Sequence, residues 1–419
     1  MSASERTRSV GVGWVLQPDA DHLALTEPLL DRVDYLEIAP ETTWTLDRNG
    51  GLHPNGFASR FLASKRDRGL PVVAHSTALS MAASPHGDEA RRRAWLDRVA
   101  ADHERFELGW WTDHLGATTL PSASGPRYVA LPVPLPASEE TLAHLDASLA
   151  EMARVVPDVG FENTAFHFAW EGPEHEPWLV RRVLARAPRR HLLLDLHNLV
   201  LNAETLGYDP RRWLATIDLD RVIEIHVAGG AWSDPRWLPS GRSMRLDGHD
   251  HDVPESVWTL LGEVVPRCRH LRGVTLERME GTVSSEADVE RLAAELDRVR
   301  AIVSNSREPA APEWPAPFER PRTTPTALDG DAYLHALMHP EANEEDGRRL
   351  TALLVAKLRF ERVQRGSALA LRWFDAEPEA FAELFRRYHH AVPSIDVFPA
   401  PEVDRFFAFC EREGLLRRR

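Results

Sequence analysis

The chain has 419 residues, 43% hydrophobic and 27% charged, enough for one large domain with a smaller one beside it and too apolar for a disordered chain. Its 64 acidic residues against 50 basic ones leave a formal charge of −14, which repels a phosphate backbone and argues against nucleic acid as a partner. Cys268 and Cys410 are too few for a disulfide framework or a four-cysteine zinc site, and there is no apolar signal core or spanning segment, so the sequence reads as cytoplasmic and without a membrane partner.

Taken in chain order, short apolar runs alternate with segments of helical period. The runs are 10–16, 33–38, 71–75, a weaker one at 110–115, then 159–162, 191–196, 222–227 and 273–277. Helices are predicted between them at 89–105, 139–156 and 177–187, and at 287–303, where Val289, Leu292, Leu296, Val299 and Val303 recur at steps of three and four. Eight strands alternating with helices over residues 1–304 predict a (β/α)8 TIM-type barrel, an α/β fold. The competing open sheet lacks its phosphate-binding fingerprint, because Gly11-Val-Gly13 is followed by Trp14 and no third glycine. Pro309, Pro312, Pro315, Pro317, Pro321 and Pro325 then mark residues 305–325 as a stiff, extended linker or strap. Beyond it, residues 326–419 carry amphipathic spacing at 334–338, 347–365, 379–390 and 401–414, which predicts a small all-α domain; its charges nearly balance, which suits a protein partner better than DNA.

Barrel chemistry sits at the C-terminal ends of the strands, so those ends are the places to read. They carry Glu37 and Glu41, His75, Asp113-His114, Glu162-Asn163, Asp195-Leu-His197-Asn198, His226 and Glu277-Arg278, with Asp247-Gly-His249 in the loop between the last two runs. Several imidazoles and carboxylates in one cup, without sulfur, suit hard or borderline divalent ions, and more than one ion fits the ligand supply. Glu162, near the centre of the set, is the natural bridge. Single residues also have plainer readings: a lone strand-end His75 is more often structural, and Glu37 could equally pair with an arginine inside the barrel. Asp47, His53 and His86 sit in loops and read as solvated, as do Asp250, His251 and Asp252, whereas His103, His144 and His175 lie on polar helical stretches. Arg278 could hold either a ligand carboxylate or a substrate carboxylate.

Residues 1–300 resemble the family once known only as DUF692 and now described as multinuclear non-haem iron-dependent oxidative enzymes. The resemblance lies in Gly11-Val-Gly13, Tyr35-Leu-Glu-Ile-Ala-Pro-Glu41, His75-Ser-Thr-Ala-Leu-Ser80, Asp113-His-Leu115, Glu162-Asn163 and Leu193-Leu-Asp195. It continues in Glu224-Ile-His-Val-Ala-Gly229, Asp247-Gly-His249, Val253-Pro-Glu-Ser-Val-Trp258 and Thr275-Leu-Glu-Arg278. It implies two or three iron ions of mixed Fe(II)/Fe(III) state, dioxygen as co-substrate, and oxidative modification of a cysteine, aspartate, asparagine or aromatic residue of a ribosomally synthesised precursor peptide. By the same resemblance the metal positions are His75, Asp113, Glu162, Asp195, His226, Asp247, His249 and Glu277, with His197 and Asn198 beside them, and Glu162, His226 and Asp113 carry the catalysis. The chain departs from the family where many members read Asp-Val-Asn-Asn, since an imidazole stands at His197, and where many have His in place of Gly230. The tail, in Leu369-Ala-Leu-Arg-Trp-Phe374 and Phe385-Arg-Arg-Tyr-His-His390, is similar to the small helical partner proteins of these enzymes, which implies a partner fused in cis that grips the peptide. A helical cap on the barrel is the plainer reading of that tail. Two rival functions use the same ligand types: a manganese or zinc sugar isomerase or phosphodiesterase, and a non-catalytic peptide-binding protein.

Overall fold

The computed structural model describes residues 10–47, 49–56, 62, 66–279, 281–305, 313–326, 329–338 and 346–414. Strand β1 (Gly11–Val15) leads through α1 (Ala20–Thr26) to β2 (Tyr35–Ile38), and a small hairpin of β3 (Trp44–Leu46) and β4 (Leu52–Pro54) precedes β5 (Val72–Ser76). Helix α2 (Glu89–Phe106), β6 (Trp111–His114), a second hairpin of β7 (Ala117–Leu120) and β8 (Arg127–Val133), and α3 (Glu139–Met152) follow. Then come β9 (Val159–Glu162), α4 (His175–Leu184), β10 (Arg190–Asp195), α5 (Leu196–Leu206), α6 (Pro210–Thr216), β11 (Val222–Val227), α7 (Glu255–Val264), β12 (Gly273–Leu276) and α8 (Glu286–Ser304). Eight strands close a parallel barrel in the order β1-β12-β11-β10-β9-β6-β5-β2, so each of the eight predicted runs supplies one barrel strand. The two hairpins lie outside it and were not anticipated, because each is too short to declare itself by period.

Local chemistry explains the helices. Ser138 accepts from Thr141 N and opens α3, whose buried Leu142, Leu145, Leu149 and Met152 face the barrel, and Ser285 does the same for α8 through Asp288 N. Asp195 ends β10 and caps α5 by accepting from Asn198 N at 2.6 Å; Gly207, at φ 74°, ends that helix in the left-handed region.

Of the predicted linker, Pro309 and Pro312 lie outside the described residues. The part from Glu313 onward is a strap over the barrel's helices: Trp314 donates to Glu263, Phe318 N donates to Thr216, and Arg212 and Arg267 stack on the two rings. The tail consists of α9 (Gly330–Met338), α10 (Asp346–Arg365), α11 (Ala368–Ala376), α12 (Pro378–Ala391) and α13 (Pro399–Arg412). Its own core gathers Val363, Phe381, Phe385, Tyr388, Phe406 and Phe409. A second set of contacts docks it on the barrel: Tyr333, Leu337 and Val355 pack with Leu120, Val129, Val133 and Phe168, and Leu350 packs with Leu238 and Met244. The tail therefore rests on the hairpin after β6 and on the loops after β9 and β11, at the end of the barrel where the strands finish.

On α4, burial pushes the Glu176 carboxyl from 4.5 up to about 7, and among the described residues only the Trp213 indole donates to it, at 3.0 Å. A carboxyl raised in the folded state binds its proton there after the unfolded chain has lost it, so stability falls as pH climbs from 4.5 to about 7 and stays lower above. Glu176→Gln is expected to raise stability at pH 8 by about 2 kcal/mol and to change nothing at pH 4, read by urea unfolding at both values.

Candidate metal centre

Strand period two sets which side chains enter the barrel. Tyr35 and Glu37 of β2, Thr112 and His114 of β6, and Glu224 and His226 of β11 each form an inward pair, and Thr275 is followed on the same face by Glu277. The lower layer is a closed network. Glu224 accepts from Tyr35 Oη at 2.8 Å, from Thr275 Oγ1 at 2.6 Å and, on its other oxygen, from Trp110 Nε1 at 2.6 Å. The Tyr35 ring fills the space that side chains would need at Gly13 and Gly273, where a Cβ would come within 2.3 Å and 2.2 Å of it. The Gly11-Val-Gly13 motif thus makes room for an aromatic ring. Above this layer Glu37 Oε2 meets His226 Nε2 at 2.9 Å, so Glu37 pairs with a histidine and not with an arginine.

The upper layer converges on Glu162. Its Oε2 lies 3.4 Å from His75 Nε2 and 3.1 Å from His114 Nε2, while Oε1 lies 3.6 Å from His226 Nδ1 and accepts from Asn198 Nδ2 at 3.3 Å. His226 Nδ1 also faces Glu277 Oε2 at 3.1 Å and Asp195 Oδ2 at 3.9 Å. Two groups with metal-ligand geometry result, His75–His114–Glu162 and Glu162–Asp195–His226–Glu277, and they share Glu162. A third group, Glu37–Glu224–His226, belongs to the layer below, where hydrogen-bond donors already occupy Glu224. At the rim, Asp247 Oδ1 and His249 Nε2 are 2.7 Å apart, and His249 Nδ1 is 3.6 Å from Glu277 Oε2. His249 stands at φ 45°, a left-handed conformation uncommon for a non-glycine residue and frequent at functional sites.

Glu162 Oε2, Asp195 Oδ2, Asn198 Oδ1, His226 Nδ1, Asp247 Oδ1, His249 Nε2 and Glu277 Oε2 are all buried atoms without a hydrogen-bond partner among the described residues. Buried lone pairs left facing one another are costly unless a cation lies between them. Burial works against charging His226 and His75, yet Glu277 and Glu37 hold the first well above its usual range and Glu162 holds the second at about 9. His249, opposed by burial and favoured by Glu277 and Asp247, is raised to about 10. Burial, with Glu162 and Glu277 nearby, pushes the Asp195 carboxyl up. Protons are held where cations are wanted, and the residues fit divalent metal ions that would displace them.

The structure brings together His75, Glu162, Asp195, Asn198, His226 and Glu277 from the sequence-derived set, with Asp247 and His249 at the edge. Asp113 is turned out of the cup, because the parity that points Thr112 and His114 inward sends it to the other side, where Oδ2 accepts from Leu79 N at 3.1 Å. His114, absent from the metal positions that the resemblance implies, takes the inward place two residues on from Thr112, which holds His75 Nδ1 at 2.9 Å. His197 lies in the wall with Nε2 on Leu246 O at 3.3 Å, its ring 6.3 Å from that of His249. A Cβ at Gly230 would sit 1.9 Å from Leu246 O and 3.0 Å from His197 Nε2, so the Leu246 carbonyl excludes a side chain at 230 and His197 lies close beside it. Arg278 is committed elsewhere, facing Glu295 of α8 at 3.3 Å and Asp252 at 3.5 Å. Asp47 and His53 pair at the surface, as do Asp250 and His251.

Comparison with known proteins follows the same outline. The family model described as RiPP precursor modification enzyme MbnB/TglH/ChrH matches residues 9–304. A UPF0276 protein of Anaeromyxobacter sp. (strain Fw109-5) is 30% identical over 268 residues, covering 64% of this chain and 84% of its own. A UPF0276 protein of Pseudomonas aeruginosa is 30% identical over 294 residues, covering 68% and 91%. Among solved structures, D-psicose 3-epimerase from Clostridium cellulolyticum H10 aligns with a TM-score of 0.46 at 15% identity, over 70% of this chain and 99% of that one. With the match spanning the whole barrel, the chain belongs to the family of RiPP precursor modification enzymes MbnB/TglH/ChrH.

Proposed function

We propose that the chain is a multinuclear iron oxidase that uses dioxygen to modify a residue of a ribosomally synthesised precursor peptide, a cysteine or an aspartate, asparagine or aromatic residue. The observation that carries the reading is the convergence on Glu162 of His75 and His114 at Oε2 and of His226 at Oε1, with Glu162 Oε2 and His226 Nδ1 buried and without hydrogen-bond partners among the described residues. One ion would be held by His75, His114 and Glu162, a second by Glu162, Asp195, His226 and Glu277, and Asn198, Asp247 and His249, with His197 behind them, remain for a third. Imidazole and carboxylate without sulfur favour iron or manganese, and the family supplies the peptide substrate. Bound there, redox-active iron would acidify a substrate thiol, amide or carboxyl group and accept electrons with dioxygen.

The chain's own groups prepare this. Glu37 accepts the Nε2 proton of His226 and leaves Nδ1 as the ligand atom, Thr112 anchors His75 through Nδ1, and Asn198 holds Glu162 Oε1. Glu162 and His226 touch the reacting centre, whereas Asp113 braces the loop at Leu79. No described helix is long and apolar enough to cross a membrane, and both cysteines are unpaired and buried, in keeping with a cytoplasmic reaction.

Metal analysis of anaerobically purified protein, followed by oxygen uptake on adding precursor peptide, tests the reading. Two or more irons per chain with peptide-dependent uptake support it; zinc or manganese alone overturns it. Glu37→Gln is expected to weaken iron binding about 10- to 100-fold without changing the melting temperature, measured by competition with a chelator.

A further inference from the structure

Outside the metal cup, a cavity of about 260 Å³ lies at the seam between β8 and the tail. It is lined by Tyr128 and Val129 of β8, Leu334 of α9, Val355 of α10 and the chain from His389 to Ser394, and it opens to solvent. Tyr128 N donates to Ser394 O at 2.9 Å, which ties the barrel's hairpin to the tail beside the cavity. The cavity therefore exists only when the two parts are docked.

Its lining is unusual for a chain of charge −14. The charged and imidazole groups are Arg127, Arg359, His389 and His390, and no Asp or Glu lines it among the described residues. Arg359 is 2% exposed; its Nε donates to Glu402 at 2.7 Å and Nη1 to Val392 O at 2.8 Å, but Nη2 has no hydrogen-bond partner among the described residues. Glu402, itself fully buried, must also serve Arg362, 3.7 Å away, whose Nη2 donates to Ser394 Oγ at 3.1 Å but whose Nε and Nη1 have no hydrogen-bond partner among the described residues. Arg362 stacks over the Tyr128 ring at 4.7 Å. Glu402 thus stands against two buried guanidiniums, with Asp396 acting on Arg362 from farther off. Arg127 makes no ion pair within 4.0 Å among the described residues, though Asp331 acts on it at longer range, and burial together with the nearby Arg359 holds it below its ordinary range. Burial and Arg359 also push His389 down to about 4, so it stays neutral.

A buried excess of positive charge is expensive unless an anion joins it. Counting Arg359 and Arg362 against Glu402 leaves about one charge at the buried end, where Asp396, which also acts on Arg362, is paired with Arg405; half-buried Arg127 adds a cation that Asp331 offsets only at longer range. A single carboxylate, with which guanidinium groups pair well, matches that better than a phosphate dianion. Val129, Leu334 and Val355 offer an apolar surface that phosphate would leave unused. We propose that this cavity binds a carboxylate carried on an apolar body, presented by an acidic or chain-terminal residue of a peptide. The peptide as bearer rests on the proposed function; the anion site stands without it.

The test is calorimetric titration of the iron-loaded full chain with N-acetyl-leucine, N-acetyl-leucinamide, inorganic phosphate and a short acetylated peptide ending in Asp-Leu with a free carboxyl. Saturable one-to-one binding of N-acetyl-leucine but not its amide is expected, weakened at least tenfold in Arg127→Glu, with unchanged iron content. Arg127→Gln serves where the charge reversal does not fold. Equal binding of acid and amide, tighter binding of phosphate, no binding at all, or an affinity indifferent to both Arg127 variants overturns the site. Binding of the peptide more tightly than N-acetyl-leucine supports the peptide as bearer, and equal affinity overturns that part alone. Absence of iron in the wild type overturns the proposed function and leaves the titration interpretable.

Discussion

Glu162→Gln is expected to strip the protein of its metal and its activity together. The substitution keeps the side chain's shape but removes its charge and turns one oxygen into an amide that cannot be a ligand. That oxygen or its neighbour faces His75, His114, His226 and Asn198 from the centre of two ligand groups, so no other single change removes a member from both. Iron content after anaerobic purification is expected to fall below one per chain, and turnover by about 1000-fold or more, as follows from losing several kcal/mol of metal-supplied stabilisation. Asp113→Asn is the contrast: with its carboxylate outside the cup on Leu79 N, it is expected to leave iron content within a factor of two or so of wild type. A full complement of iron in Glu162→Gln would sink the bridged arrangement.

The second large effect is expected at Gly347→Ala, in the first turn of α10. A Cβ there would lie 1.7 Å from His167 O and 2.6 Å from His167 C, both backbone atoms of the loop after β9. No rotamer change relieves that contact, so the helix must lift from the barrel. Leu350, fully buried against Leu238 and Met244, would be exposed, and the Ser240–Asp346 hydrogen bond of 2.8 Å would be lost. The expected cost is about 3 kcal/mol, at the upper end for overpacking, read as a lower unfolding midpoint and earlier proteolytic release of the tail. The site should feel it too. His167 Nε2 contacts Arg245 O at 3.1 Å and His197 reaches Leu246 O, so the loop that presents Asp247 and His249 loses a wall, and one metal ion fewer per chain is expected. Gly262→Ala, where a Cβ meets nothing within 4 Å in the middle of α7, is the control and should stabilise by about 0.5–1 kcal/mol.

Much of the barrel was readable because burial on both faces writes a parallel strand as an apolar run, and all eight runs supplied barrel strands. Chain ends of those strands carry His75, Glu162, Asp195, His226 and Glu277, and the rule that a barrel works at its C-terminal mouth was enough to collect them. What the rule could not give was direction. Asp113 and His114 are adjacent, and only the pairing of β6 with its neighbours fixes that His114 faces inward, opposite Glu162 in the strand register. Glu37 was legible as a buried carboxylate but not as the partner of His226, since the two are 189 residues apart.

The sequence by itself determined the fold class, the mouth of the barrel and the kinds of ligand gathered there, because apolar period and strand-end position are local properties written every few residues. The tertiary structure decided which member of each adjacent pair enters the cup, why Gly13 and Gly273 must lack side chains beside Tyr35, and that the Leu246 carbonyl leaves no room for a side chain at Gly230. It also decided that the tail is seated on the site's own loops and encloses a cationic cavity with them. Those are outcomes of strand register and of surfaces distant in sequence meeting, and neither is encoded in a local period.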